Sequence, residues 1–266
     1  MLDGMKYFAT LKLHHVPFVQ SHVITRAVGH DQVEKAVISA ADKNWQPIPG
    51  TEQTFDVDSV CLGYGLIPNI DLLAECGCAH EYDKILGGWI PKKDENMETT
   101  VPGVYVAGDG CAINGVDVAV EQGKLAGIYA SLNLGALDRT AADKLAKPIR
   151  KKLKRLKTFQ SAVGEFYSVQ SGIYSLPDDD TIICRCEEVN LGEIRKAIRE
   201  AGYFHPSDVK RRTRAGMGYC QGRLCSPAIY GIAKRELGGE PKSISHATTR
   251  PPVKPIRMSL LLEESS

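Results

Sequence analysis

Apolar residues recur in two rhythms along the chain. Leu2, Met5, Phe8 and Leu11 are spaced as on one face of a helix, which predicts an amphipathic helix over residues 2–13. Three strand-like runs follow, His22–Ala27, Val33–Ala40 and Thr54–Asp58. Gly29-His30-Asp31 and Asp42-Lys43-Asn44 separate them as turn signals, so the reading is an antiparallel meander. Two short continuous apolar runs, Val60–Leu62 and Val104–Ala107, look like buried strands, the first of them parallel. Gly63 and Gly65 permit a close backbone turn after the first run, and Pro68 stops any immediate helix.

Helical spacing returns from about Asp117 to Leu132, with Ala119, Gly123, Ala126 and Gly127 as small residues for close approach. A basic helix is predicted over 139–166, with Pro148 in its first turn or an interrupted one. Its apolar stripe is Leu145, Ile149, Leu153, Leu156 and Val163. Residues 172–182 mark a boundary. Asn190 and Glu193 approximate a capping box for a helix ending at Gly202. A second short helix follows Pro206, and a third runs from Pro227 to Leu237, closed by Gly238-Gly239. Thr249–Pro255 is too proline-rich for helix and should be extended, either free or docked on the body or a partner.

The 266 residues suffice for one or two domains with a real core. A net charge of +1 supplies no general drive towards nucleic acid or anionic lipid. Lys144 to Lys157 hold eight Lys and Arg, but no aromatic residues interleave them, so a solvated face snorkelling over a packed stripe is expected; membrane-surface contact is the alternative. No run of 18 apolar residues exists, so no transmembrane segment is expected. Residues 1–15 lack a signal-peptide core, and eight cysteines then suggest a reducing compartment, the cytoplasm.

The chemistry concentrates in four of those cysteines. Cys184-x-Cys186 is followed by 33 residues and then Cys220-x4-Cys225. Clustered thiols in such a compartment argue for metal rather than disulfides. The C-x-C pair is tighter than the C-x2-C of zinc knuckles and suits two ligands to one iron, with the second pair on the other iron of a 2Fe-2S cluster. Gly216, Gly218 and Gly222 let backbone N–H groups turn towards sulfur. Arg185, Lys210, Arg211, Arg212, Arg214 and Arg223 crowd the cysteines, and cations favour reduction of a cluster carrying about −2 to −3 charge. A structural zinc site or free buried cysteines remain the alternatives. Cys76-x-Cys78 has no second pair nearby and reads as packing, as do His14, His15, His22 and His30 as ordinary surface or core residues.

Cys184-Arg185-Cys186-Glu187-Glu188-Val189, a helix, and then Gly216-Met217-Gly218-x-Cys220-x4-Cys225 resemble the 2Fe-2S domain of the bacterioferritin-associated-ferredoxin (BFD) type. The longer step from Cys220 to Cys225 is similar to the version fused to flavin and iron-sulfur subunits of opine oxidase, hydrogen cyanide synthase and dye-linked amino-acid dehydrogenases. Asp58-x-Val60-x-x-Gly63-x-Gly65-x-x-Pro68-Asn69 resembles the hinge of two-dinucleotide-domain flavoproteins, and Thr99-Thr100-Val101-Pro102-Gly103-Val104-Tyr105-Val106-Ala107-Gly108-Asp109 resembles their FAD signature. The resemblance implies that Asp109 hydrogen-bonds the ribityl chain, with Gly108, Gly63 and Gly65 also at the cofactor; a short acidic loop is the plain alternative for Asp109.

The expected fold class is therefore α/β: a partial two-dinucleotide-binding-domain (FAD/NAD(P)) flavoprotein fold followed by a small, mainly α 2Fe-2S domain. The expected division is a remnant NAD(P)-binding-like domain with the meander (1–50), the carboxyl half of an FAD-binding domain (51–138), a basic helical linker (139–179), the BFD-like domain (180–238) and a Pro-rich tail (239–266). No G-x-G-x-x-G is present, so the FAD pyrophosphate cradle would lie elsewhere and this chain alone is not expected to hold FAD firmly. The resemblance implies an electron-transfer role within a larger enzyme. There, a flavin-containing amino-acid-oxidase-like partner would oxidise an amino acid or opine, and electrons would pass through flavin and cluster to an unidentified acceptor. An NAD(P)H-dependent reductase component is one alternative, and a non-enzymatic metal-binding interaction module another. A peripheral position at the inner face of the membrane is compatible with these readings.

Overall fold

The computed structural model describes residues 2–239 and 246–261. The chain divides into two compact units, residues 1–63 with 170–177, and residues 64–169 with 178–266.

The first unit opens with helix α1 (Leu2–Leu13) and continues into strands β1 (His22–Val28), β2 (Lys35–Ala40) and β3 (Gln53–Asp56). They form the expected antiparallel meander in the order β1-β2-β3, with His22 opposite Ala40 and Lys35 opposite Asp56. Val23, Ala36, Val37 and Ser39 are its buried residues. The turn after β2 is built by Asp42, whose Oδ1 accepts the N–H groups of Asn44 at 2.8 Å and Gln46 at 2.9 Å. Gly172 donates to the Asn44 carbonyl at 2.8 Å and has no room for a Cβ, which would lie 2.4 Å from that oxygen. Helix α1 forms as the spacing predicts, but Met5, Phe8 and Leu13 stay exposed. The side chains of Leu2 and Val163 lie outside the described residues.

Residues 57–70 have no regular structure. No strand forms over Val60–Leu62, contrary to expectation; among the described residues no strand pairs with this segment, and Leu62, Leu66 and Ile67 are exposed. A parallel strand exists only beside its neighbours, so the apolar run alone cannot make one. Short helix α2 (Asp71–Glu75) and the hairpin β4 (His80–Asp83) and β5 (Gly88–Pro91) follow. Val104–Ala107 is not a strand of a parallel sheet either. Thr99 donates to the Val104 carbonyl at 2.8 Å and Val106 to the Met97 carbonyl at 2.9 Å, so this run folds back on 97–99 through an isolated antiparallel bridge.

Helices α3 (Val116–Asn133) and α4 (Arg139–Tyr167) pack side by side. Val118, Leu125 and Tyr129 of α3 meet Ala146 and Leu153 of α4, with Ile149 and Leu156 at the margin. The stripe on α4 is thus set one position away from part of the expected one: Ala142 and Ala146 are buried and Leu145 is exposed. Small alanines bring the helices close, which a longer side chain would prevent. Pro148 lies inside α4 rather than in its first turn. Pro148 and Lys144 both face solvent, so water can satisfy the carbonyl that Pro148 leaves unbonded.

The remainder of this unit is a small helical fold. Strands β6 (Ile182–Cys184) and β7 (Val189–Asn190) pair antiparallel and lead into helices α5 (Leu191–Ala201), α6 (Pro206–Thr213) and α7 (Ser226–Glu236). Asn190 and Glu193 make both bonds of the capping box, and Gly202 ends α5 in a left-handed conformation. Leu191, Ile194 and Ile198 pack with Val209, Ile229 and Ile232 into one core that includes Cys184 and Cys225. Asp138 caps α4 and His205 caps α6 through its ring nitrogen.

Candidate metal centre

Each cysteine of the quartet is placed by a different local device. Cys184 ends β6 and is buried; Cys186 lies in the turn between β6 and β7. Cys220 lies in the loop after α6, and Cys225 is the N-cap of α7 and buried. The two motifs face each other: the Cys186 thiol neighbours Cys220, and Cys184 neighbours Cys225. The 214–225 loop is held against them by two glycines. Gly216 has φ +86° and donates its N–H to Cys184 Sγ at 3.4 Å. A Cβ on Gly218 would lie 2.2 Å from the Cys186 Cβ, so only glycine lets the loop come this close.

Electrostatics split the thiols. Burial opposes ionisation of Cys220, but the backbone N–H groups of Leu224, Gly222 and Arg223, with the Cys186 thiol, outweigh it and lower its pKa. Cys225 is pushed up to about 12, first by burial and then by Cys184 and Cys220. One thiolate is therefore favoured, and a further negative charge beside it is resisted. A bound cationic centre relieves that repulsion and displaces the remaining protons. Among the described residues, no three His, Cys, Asp or Glu side chains converge on a site for a single metal ion. The paired thiols, two buried and two half-buried, the inward-turned N–H groups and the glycine-enforced approach fit a thiolate-bound cluster.

The expected crowd of cations is largely paired. Arg214 meets Glu187 at 2.8 Å, Arg223 meets Asp71 at 2.5 Å, Arg211 meets Asp208 at 3.4 Å and Arg212 meets Glu200 at 3.9 Å. Their charge near the cysteines is thus partly cancelled. Arg223 also links the Cys220 carbonyl, at 3.4 Å, to the Val253 carbonyl. Asp71 as its partner is invisible in the sequence, since 152 positions of separation carry no periodic signal.

The flavin-signature residues lie elsewhere in the same unit, apart from Gly63, which closes the first unit. Gly108–Gly110 is a short 3-10 turn in which Gly108 has φ +70° and Asp109 is exposed. Gly108 donates its N–H to Gln122 Oε1 at 3.0 Å, and Gln122 is almost wholly buried on α3. Gln122 thus fixes the turn that presents Asp109; a glutamine on the apolar side of a helix is the sequence signal for it. Next to it, buried Glu121 bonds Lys124 and Lys152, each at 2.9 Å, tying α3 to α4. Around Gly63 and Gly65 no atom comes within 4 Å of where a Cβ would stand, so neither is required there by crowding. Cys78 is buried against Thr99 at 3.3 Å, in line with packing, whereas Cys76 and Cys61 are exposed.

The geometry defines a class, a thiolate-rich domain of the cluster-binding kind, and comparison with known proteins adds the segment that precedes it. Residues 182–235 match the BFD-like 2Fe-2S binding domain family, and residues 5–123 match the pyridine nucleotide-disulphide oxidoreductase family. The cofactors of these two domain types are a 2Fe-2S cluster and flavin. More particularly, the chain is 33% identical to an opine oxidase subunit from Rhizobium meliloti over 80% of this chain and 40% of that protein. It is 29% identical to the HcnB subunit of hydrogen cyanide synthase from Pseudomonas protegens over 97% of this chain and 54% of that protein. The chain spans about half the length of these relatives. In fold it is similar to the crystal structure of L-proline dehydrogenase from P. horikoshii, with a TM-score of 0.71 and 22% identity over 96% of this chain and 47% of that one. No helix among the described residues is long and apolar enough to cross a membrane.

Proposed function

We propose that this chain is the electron-transfer part of a flavin and iron-sulfur oxidoreductase acting on an amino acid or opine. Cys184, Cys186, Cys220 and Cys225 hold the 2Fe-2S cluster, which supplies one-electron storage when bound. The observation that carries this reading is the convergence of two cysteine pairs, far apart in sequence, on one loop shaped by Gly216 and Gly218. The chain's own contribution is to bury Cys184 and Cys225, to aim N–H groups at sulfur and to stabilise thiolate at Cys220.

On the flavin side, Asp109 offers a carboxylate at the exposed tip of the Gly108–Gly110 turn, with Gly108, Gly63 and Gly65 as further cofactor-facing positions. The substrate chemistry belongs to a partner protein with its own flavin, in keeping with relatives that are named as parts of multi-subunit enzymes. No residue of this chain is assigned as catalytic acid or base. NAD(P) has no assigned contacts here, and the cytoplasm is the compartment that keeps such thiols reduced.

Metal analysis with visible and EPR spectra of anaerobically purified protein, before and after dithionite, tests the reading. About two irons per chain and a reduced-state signal that disappears in Cys220→Ser are expected. Stoichiometric zinc with no visible absorbance would end it.

A further inference from the structure

Resting on the 2Fe-2S reading, we infer that the groove beside Cys220 is the seat of an acidic, electron-carrying protein. The four cysteines are not equally enclosed. Cys184 and Cys225 are 1% and 2% exposed, whereas Cys186 and Cys220 are only half-buried. The centre therefore comes nearest to solvent along its Cys186 and Cys220 edge. Tyr219 and Leu224, which bracket Cys220 in the loop, are 75% and 59% exposed. Large apolar side chains left in water beside a redox centre gain by being covered. Electron tunnelling weakens steeply with distance, so an exchange partner has to come to this edge.

The other wall of the groove is the strap formed by residues 246–255. His246 packs edge-on against His80 at 4.9 Å and Trp89 at 5.9 Å. Thr248 hydrogen-bonds Ser207 at 3.1 Å, and Arg223 donates to the Val253 carbonyl. Pro251, Pro252 and Pro255 stiffen what lies between, so little order has to be created on binding. Strap and loop enclose an open groove of about 340 Å³ that Tyr219, Gln221, Arg250 and Lys254 line with these prolines.

Charge decides the occupant. The strap, residues 246–255, carries Arg250 and Lys254 and no Asp or Glu. Among the described residues these two have no carboxylate partner, while Arg211, Arg212, Arg214 and Arg223 each have one. In a chain of net charge +1, unpaired cations lining a groove of mixed polar and apolar character are complementary to an acidic surface. The position beside Cys220 favours a redox protein over a lipid surface, which has no need of the cluster's edge. Each encounter moves one electron, lost by one centre and gained by the other, and no bond is made.

The test is binding, with a redox-inert probe. A gallium-substituted acidic ferredoxin is titrated into the full chain at low and physiological ionic strength. Saturable binding that weakens with salt is expected, together with a loss of about tenfold or more in the Arg250→Glu/Lys254→Glu variant. Tyr219→Ala, an exposed position, should also weaken binding, and a basic cytochrome c should bind less well than the ferredoxin. Unchanged binding in the charge-reversed variant, or equal binding of the cytochrome, overturns the inference. So does Arg250- and Lys254-dependent capture by anionic phospholipid vesicles without ferredoxin binding. The visible spectrum of the same samples separates the two readings: lost binding with cluster absorbance intact is failure of the docking surface alone, and absent absorbance is failure of the 2Fe-2S reading.

Discussion

The 2Fe-2S domain and the flavoprotein-type segment are both marked by short sequence motifs, yet they fold those motifs very differently. In residues 182–235 the four candidate cysteines lie within about fifty neighbouring positions, and the helices that pack behind them are also in that stretch. In residues 57–110 the motif residues stand on irregular chain, with Leu62, Leu66 and Ile67 in solvent and no parallel strand beneath them. A site made from a strand turn and a loop packed on local helices carries its own scaffold. A site at the carboxyl end of sheet strands borrows its scaffold from strands elsewhere.

Substitutions can sharpen that contrast. The largest effect is expected from Gly218→Ala in the cluster domain. Its added Cβ would stand 2.2 Å from that of Cys186, so the loop must withdraw and cluster absorbance per chain should fall several-fold. Full cluster content in that variant would show the approach to be dispensable. Leu153→Ala, in the α3–α4 core, should cost about 2–5 kcal/mol in chemical denaturation through cavity formation. Its cluster spectrum should stay unchanged if the two regions are independent, and a coupled loss of spectrum would break the comparison.

Asn190→Ala removes the α5 capping box and should cost about 1 kcal/mol, read from the unfolding of the cluster domain. The smallest effect concerns acid. Hydrogen bonds from Lys124 and Lys152 hold the Glu121 carboxyl below its ordinary value of 4.5, against the opposing effect of burial. A lowered folded-state pKa contributes stability that is fully present above 4.5 and lost as pH falls through the folded value. The unfolding midpoint of the native chain should thus drop more steeply below about pH 4.5 than that of Glu121→Gln, as followed by circular dichroism across pH. Parallel curves would remove Glu121 from the acid response.

What is legible in the sequence follows the reach of each interaction. The meander, the α5 cap, the Gly202 stop and the four cysteines are all visible there, because turns, caps and ligand spacing act over a few positions. The buried stripe of α4 keeps Ile149, Leu153 and Leu156 as predicted but uses Ala142 and Ala146 in place of Leu145, since the alanines give little apolar signal although they are wholly buried. Helix α1 forms where its spacing predicts, while that spacing says nothing of what would cover Met5 or Phe8.

Neighbouring residues are enough to set the local devices: where helices begin and stop, and which thiols are spaced for a cluster. Folding in three dimensions settles which groups meet across long separations. It pairs Arg223 with Asp71, buries Gln122 against the Gly108 turn and lays the strap from His246 beside Trp89. It also leaves Val60–Leu62 without strand structure. The physical reason is that capping and turn energies are fixed by adjacent residues. Pairing, burial and strand formation depend on surfaces that only the folded chain brings together.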